Sequence, residues 1–211
     1  MEEAVTYEAV GHTSVITINR PTAHNAINAA VRRGLFTAWD RFEHDPDRRV
    51  AVLTGAGNKA FCAGADLKEM AKDQPDVSGH DYMPNLNVNV RVTKPVIAAV
   101  NGLAYAGGWM LAQMCDLVVA SETARFAITE AKVGLGSPWV APLAQMIPQK
   151  VLLEILMTCE PITAERAYAI GFVNHVVPPA EVMQKAQQLA DSIASNAPLA
   201  VDAAKELVYM T

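Results

Sequence analysis

Short apolar runs and amphipathic stretches alternate along the chain, and the alternation changes character after residue 130. Val5–Val10 and Ser14–Asn19 read as two strands joined by the turn Gly11-His12-Thr13. Over Asn28–His44, Val31, Leu35, Trp39 and Phe42 recur on one helical face, and Asp45-Pro46-Asp47 stops that helix. Val50–Thr54 is a continuous apolar strand of the doubly buried kind. A glycine turn, Gly55-Ala56-Gly57-Asn58, leads into a second short run and then a helix start, Ala63–Met70. Lys94–Asp116 repeats this order: the apolar run Pro95–Val100, a turn at Asn101-Gly102, a second run, then Ala106-Gly107-Gly108 and a helical pattern. The two stretches read as copies of one strand–strand–helix unit, and Leu117–Ser121 with Arg125–Ile128 reads as a third. Beyond Glu130 the pattern is mainly helical. Val140–Met146, Val151–Thr158 and Thr163–Ile170 are expected helices, the last with a Thr N-cap and Glu165 in its first turn. Val173–Val177 is an expected strand, and two amphipathic helices follow, marked by Val182, Ala186, Leu189 and Ile193, then by Leu199, Ala203 and Leu207. Ala71–Asp81 reads as an exposed loop and Tyr82–Val92 as a helix.

Composition narrows the classes. The 211 residues are 51% hydrophobic and 18% charged with a net charge of −5, which fits a globular protein with a sizeable core. Basic residues are scattered, so no nucleic-acid surface is expected. The most apolar stretch, Val96–Ala112, is broken by Asn101 and glycines and is too short for a membrane span. The chain opens Met-Glu-Glu without a basic, apolar leader, and its three cysteines (Cys62, Cys115, Cys159) are far apart; both point to the cytoplasm and reduced thiols. The five histidines lack metal-ligand spacing, so no metal is expected.

Glycine pairs before a helix leave bare backbone N–H groups, where an anion can sit. Read alone, Lys94–Asp116 is more simply a tight buried turn, since glycine pairs are common punctuation. The ordered set of motifs decides between the two. Asn25–Asn28 (Asn-Ala-Ile-Asn), Ala60–Met70 (AFCAGADLKEM), Lys94–Gly108 (KPVIAAVNGLAYAGG), Met114–Ala120 (MCDLVVA) and Pro161–Val177 (PITAERAYAIGFVNHVV) follow one another over nearly the whole chain. In this order they resemble the crotonase (enoyl-CoA hydratase/isomerase) superfamily. The resemblance implies an α/β fold: a crotonase-like spiral of ββα units over residues 1–177, which carries the acyl-CoA site. Residues 178–211 would begin a C-terminal helical trimerisation region. It also implies a homotrimer or a hexamer built from two trimers. Family members usually carry a further helical segment after the position matching Thr211, and the apolar face that closes the last helix (Leu207, Val208, Tyr209, Met210) favours such a segment here over a minimal member of the family.

By position, the resemblance makes the N–H groups of Ala65 and Gly107 the donors that hold a thioester oxygen as it becomes an enolate. It assigns CoA contacts to Ala26, Ala63, Ala65, Asp66 and Leu67, with Gly107 and Gly108 beside the thioester. Coenzyme A is then part of the substrate, and no separate cofactor is implied. His24 stands near the phosphate region but reads more simply as a surface residue. The pattern departs from family hydratases at the carboxylates. Those enzymes carry two Glu residues twenty apart; here the first position is Met110 and only the second, Glu130, is acidic. A single carboxylate suits a proton shift along an enoyl chain better than hydration. Trp109, Met110 and Trp139 are expected to wall the acyl pocket, with Ser137 a turn residue and Asp116 structural. Thioester hydrolysis, cleavage of a β-diketone, and a thioester-binding protein without catalysis remain open at this point.

Overall fold

The computed structural model describes residues 3–73 and 82–210. The first two strands, β1 (Val5–Val10) and β2 (Thr13–Ile18), form an antiparallel hairpin. Helix α1 (Ala29–His44) follows, with the Asn28 side chain accepting from the Val31 N–H as its cap and Val31, Leu35, Ala38, Trp39 and Phe42 buried.

The repeated unit then appears three times. Its first copy is β3 (Val50–Gly55), β4 (Ala60–Cys62) and α2 (Leu67–Asp73). The second is β5 (Val96–Val100), β6 (Leu103–Tyr105) and α3 (Gly107–Gln113). The third is β7 (Leu117–Ser121) and β8 (Arg125–Ala127), closed by a 3-10 turn over Glu130–Val133 instead of an α-helix. Each unit sends its first strand to one sheet and its second to another. The large sheet runs β1-β2-β3-β5-β7 and ends in β10 (His175–Val177); the small one runs β4-β6-β8 and ends in β9 (Ile162–Thr163). Equivalent strands of successive units pair in parallel, as expected when the chain must cross over to start the next copy.

The central strands of the large sheet are buried on both faces. Val50, Val52, Ile97, Ala99 and Val119 form a layer with Val182, Ala186, Ala190 and Ala194 of helix α7 (Val182–Ala194). Alternate residues, among them Ala51, Leu53, Val96 and Ala98, belong to the main core with α1 and α3. Helices α4 (Leu143–Met146) and α5 (Gln149–Thr158) pack on each other, and α6 (Ala164–Ala169) packs on β8, β9 and β10; Thr163 caps α6 as expected by accepting from the Arg166 N–H. The last helix, α8 (Pro198–Tyr209), buries no residue fully and is held by polar contacts. Lys205 Nζ lies 2.9 Å from Asp116 Oδ2 and the Tyr209 hydroxyl donates to Asp116 Oδ1 at 2.9 Å. Asp116 Oδ2 also accepts the Val96 N–H at 2.7 Å, so this carboxylate joins the end of the chain to β5.

Two expectations change. Tyr82–Val92 is not a helix: Asn87 takes φ 62°, the Asn89 side chain accepts from the Asn85 N–H, and the Asn87 side chain accepts from the Val92 N–H. Short amide side chains have taken over backbone donors that a helix would have used. Of the loop expected over Ala71–Asp81, Ala71–Asp73 instead complete α2, and the remainder lies outside the described residues. All three cysteines are buried and unlinked. No helix among the described residues is long and apolar enough to cross a membrane.

Candidate active site

The small sheet collects the expected site residues. Its three parallel strands end side by side, with Tyr105 opposite Ala127 and Cys62 opposite Ala104. Ala65 lies just beyond the end of β4, Gly107 just beyond β6, and Glu130 just beyond β8. Ligands in parallel sheets characteristically sit beyond these carboxyl ends. A hydrogen bond from the Ala106 N–H to the Ala127 carbonyl, 2.8 Å, ties the approach to α3 to the strand that leads to Glu130.

The two N–H groups are positioned differently. Ala65 forms a bridge with Ile27: the Ile27 N–H donates to the Gly64 carbonyl at 2.8 Å and the Asp66 N–H to the Ile27 carbonyl at 3.0 Å. Alternation along this extended piece turns the Ala65 N–H to the opposite side, where it donates to nothing among the described residues. Ala65 is therefore two residues ahead of α2 and outside the helix, which begins later than the helix start expected over Ala63–Met70. Gly107 does open one. It is the first residue of α3, and its N–H has no intrahelical acceptor.

The segments meet closely. A Cβ on Gly64 would lie 3.4 Å from the Gly107 nitrogen and 2.9 Å from the Ala106 Cβ, and Gly64 itself has φ 89°. A Cβ on Gly108 would lie 2.0 Å from the Cys62 carbonyl oxygen, so only glycine lets α3 dock on the end of β4. Ala106, just before Gly107, takes φ 50° and ψ −119°, a conformation costly for a residue with a Cβ. Burial pushes the Cys62 thiol up to about 12 against a weaker opposing pull from the Gly64 N–H, so this cysteine beside the site is a packing residue and no nucleophile.

Polar residues missed in the sequence brace the first donor. Arg20 Nη1 donates to the Ala26 carbonyl at 2.6 Å and pairs with Asp66 Oδ2 at 2.9 Å. Asp66 Oδ1 accepts from the N–H groups of Lys68 and Glu69. Burial raises the Asp66 carboxyl, but the Arg20 hydrogen bond and these N–H groups outweigh it and hold the group below the usual carboxylate range. The buried Asn25 amide donates to the Ala56 and Ala60 carbonyls and accepts the Arg20 N–H, fixing the loop at φ 55°. Ala63 donates to the His24 carbonyl at 3.1 Å, while the His24 side chain is exposed. Leu67 is 71% exposed at the start of α2. Ala26, Ala63, Ala65, Asp66 and Leu67 thus form one continuous edge, held together by backbone and by Arg20.

Glu130 is half-buried at the head of its 3-10 turn. Its Oε1 accepts the Trp139 indole N–H at 2.9 Å, and its Oε2 is buried without a partner. Met110 is half-buried in the first turn of α3. Trp109 departs from expectation. Its ring is fully buried, packed on Phe126 at 5.5 Å and Phe172 at 5.3 Å, so it shapes the site from the core and not as an exposed wall. No cluster of potential metal ligands occurs among the described residues. Two surface hollows, one at Arg48, Arg49 and Lys94 and one at Phe36, Glu43 and Arg91, share no residue with this group.

Comparison with known proteins bears on this arrangement. Residues 8–211 match the family model for enoyl-CoA hydratase/isomerase. An enoyl-CoA hydratase of Mycobacterium tuberculosis is 44% identical over 93% of this chain and 76% of its own length. An (E)-benzylidenesuccinyl-CoA hydratase of Thauera aromatica is 42% identical over 98% of this chain and 82% of its own. Among solved structures, an enoyl-CoA hydratase from Mycobacterium marinum superposes with a TM-score of 0.91 at 40% identity, covering 99% of this chain and 82% of that one.

Proposed function

This chain belongs to the enoyl-CoA hydratase/isomerase family of acyl-CoA enzymes, and we propose that it stabilises a thioester enolate with two backbone donors and moves the proton with a single carboxylate. The thioester oxygen sits between the N–H groups of Ala65 and Gly107. Each such donor is worth roughly 10²–10³ in rate where negative charge develops. CoA lies along the Ala26, Ala63–Leu67 edge, as substrate and not as a cofactor.

One observation carries the chemical step: Glu130 presents one buried, unpartnered carboxylate oxygen beyond the strand end next to Gly107. That oxygen removes a proton from one carbon of the acyl chain. The electron pair moves through the conjugated system onto the thioester oxygen, where the two N–H groups hold it. Glu130, now protonated, returns the proton two carbons along, so the double bond shifts and the atoms balance without water. Met110 supplies no second carboxylate to orient a water molecule, which favours this isomerisation.

A second reading has its own support. The relatives named above are described as hydratases, and a carnitinyl-CoA dehydratase of Proteus mirabilis is 40% identical over the whole chain. In that reading Glu130 alone manages both water and the α-proton. Incubating the protein with a panel of enoyl-CoA esters in deuterated water separates the two. Isomerisation moves the double bond without adding solvent, with deuterium entering only where the proton held by Glu130 exchanges before it is returned; hydration adds the elements of one solvent water; hydrolysis releases free CoA; β-diketone cleavage gives two fragments. Turnover in Glu130→Gln equal to the unaltered protein would remove Glu130 from the reaction. If Met110→Glu leaves hydration unchanged, Met110 is not what suppresses it. The exposed apolar residues of α8, including Leu199, Leu207 and Val208, fit the trimeric assembly that forms part of this proposal, which sedimentation checks.

A further inference from the structure

The proposed reaction gives Glu130 its task but does not account for what aims its carboxylate. Glu130 opens a single 3-10 turn, a weak support for a side chain that must hold one geometry. The three tryptophans behave differently. Trp39 and Trp109 are fully buried with their indole N–H groups unpaired, as packing residues in an apolar core. Trp139 is half-buried, in the 3-10 turn Pro138–Val140, and its N–H goes to Glu130 Oε1 at 2.9 Å. The Trp139 carbonyl in turn accepts Nε2 of Gln113 at 2.9 Å. Gln113 is buried and is the last residue of α3, whose first residue is Gly107.

We propose that Trp139 is a positioning residue: its indole clamps one oxygen of Glu130 and leaves the other free for the substrate, while Gln113 keys Trp139 to the helix that carries the Gly107 donor. Base and donor are then set by one rigid element, and a misplacement of about 1 Å is enough to cost orders of magnitude in rate. The inference rests on the proposed role of Glu130. It explains why an indole occupies a half-exposed turn, where a large apolar side chain gains little from burial. The indole occupies Oε1, so that Oε2 is the oxygen left to exchange protons.

The test is α-proton exchange of a saturated acyl-CoA into deuterated water, read by mass spectrometry, with ester affinity measured separately by calorimetry. Trp139→Phe keeps a ring and removes the donor. Its exchange rate is expected to fall about tenfold, the worth of one hydrogen bond to a charged group, with ester affinity unchanged. Trp139→His retains an N–H and is expected to recover part of that loss. In a Glu130→Gln background, Trp139→Phe is expected to cost nothing further, because there is no base left to aim. Exchange at the unaltered rate in Trp139→Phe, or the same tenfold loss added on top of Glu130→Gln, overturns the proposal. Full exchange in Glu130→Gln by itself instead overturns the role of Glu130, and that result needs no Trp139 variant. Should the Trp139 variants fail to fold, Gln113→Leu decides: a severalfold slower exchange at unchanged affinity supports the clamp, and the unaltered rate rejects it.

Discussion

The first and second strand–strand–helix units deliver the same thing, a free backbone N–H beyond the end of a short strand, by different physical means. In the first, backbone pairing with Ile27 turns the N–H and charge braces the segment around it. Ala65 is followed by Asp66, whose carboxylate caps α2 and pairs with Arg20, and α2 buries none of its residues. In the second, sterics do it. Gly108 lies flush against the Cys62 carbonyl, Ala106 is bent into an unfavourable conformation, and Trp109, Leu111 and Ala112 are buried. A charge-braced donor responds to pH, salt and ligand. A packing-braced donor is nearly indifferent to solution conditions and intolerant of one extra methyl group. The geometry thus anchors one side of the candidate oxyanion site rigidly and leaves the other tunable.

That contrast can be broken most severely at Gly108. In Gly108→Ala the new methyl group collides with backbone and α3 must move, so exchange should fall by about 10²-fold or more, measured as turnover at saturating ester. Trp109→Ala removes a fully buried ring from the triad with Phe126 and Phe172 and should cost about 3–5 kcal/mol of stability in urea unfolding. On the charged side, Arg20→Met should act through binding. KM for the ester should rise about tenfold, as for loss of a charge-assisted contact, while kcat changes less.

The charged side should also show a pH signature. Asp66 has its folded pKa depressed, so its contribution is complete above the ordinary carboxylate value near 3.9 and is lost as pH falls through the lower folded value. Stability curves of the unaltered protein and of Asp66→Asn should therefore diverge above that range and converge in acid. The gap should also shrink in high salt. No such convergence is expected for the packing variants. The smallest effect is at Ala106. Glycine there relieves the φ 50° strain but adds unfolded-state entropy, and Ala106→Gly should remain within about 1 kcal/mol of the starting stability.

The sequence makes the second unit more legible than the first, for the same reason. Ala106-Gly107-Gly108 announces a close backbone approach because glycine is demanded where a Cβ has no room. The repeat and both sheets follow from apolar runs punctuated by such turns. Arg20 is invisible in the sequence because its partner Asp66 lies 46 positions away and ion pairing has no period. The helix expected over Tyr82–Val92 fails because two asparagine side chains, those of Asn87 and Asn89, compete for the backbone, a local chemistry that apolar spacing does not register. Trp109 and Trp139 look alike as apolar residues near the site. Only their placement, one inside an aromatic triad and one against Glu130, separates them. That position 110 holds Met and position 130 Glu is readable in the sequence; that the Trp139 indole holds Glu130 is not.

The central claim is that both units converge on one thioester oxygen. It is tested most directly by difference infrared spectroscopy of an acyl-CoA carrying a ¹³C-labelled thioester carbonyl, free and bound. Two donors aimed at that oxygen polarise the C=O bond, so its stretch should move to lower frequency on binding. The shift should be largely lost in Gly108→Ala even where the ester still binds. A bound ester whose carbonyl stretch matches that in water, or a shift that survives Gly108→Ala intact, would contradict the account.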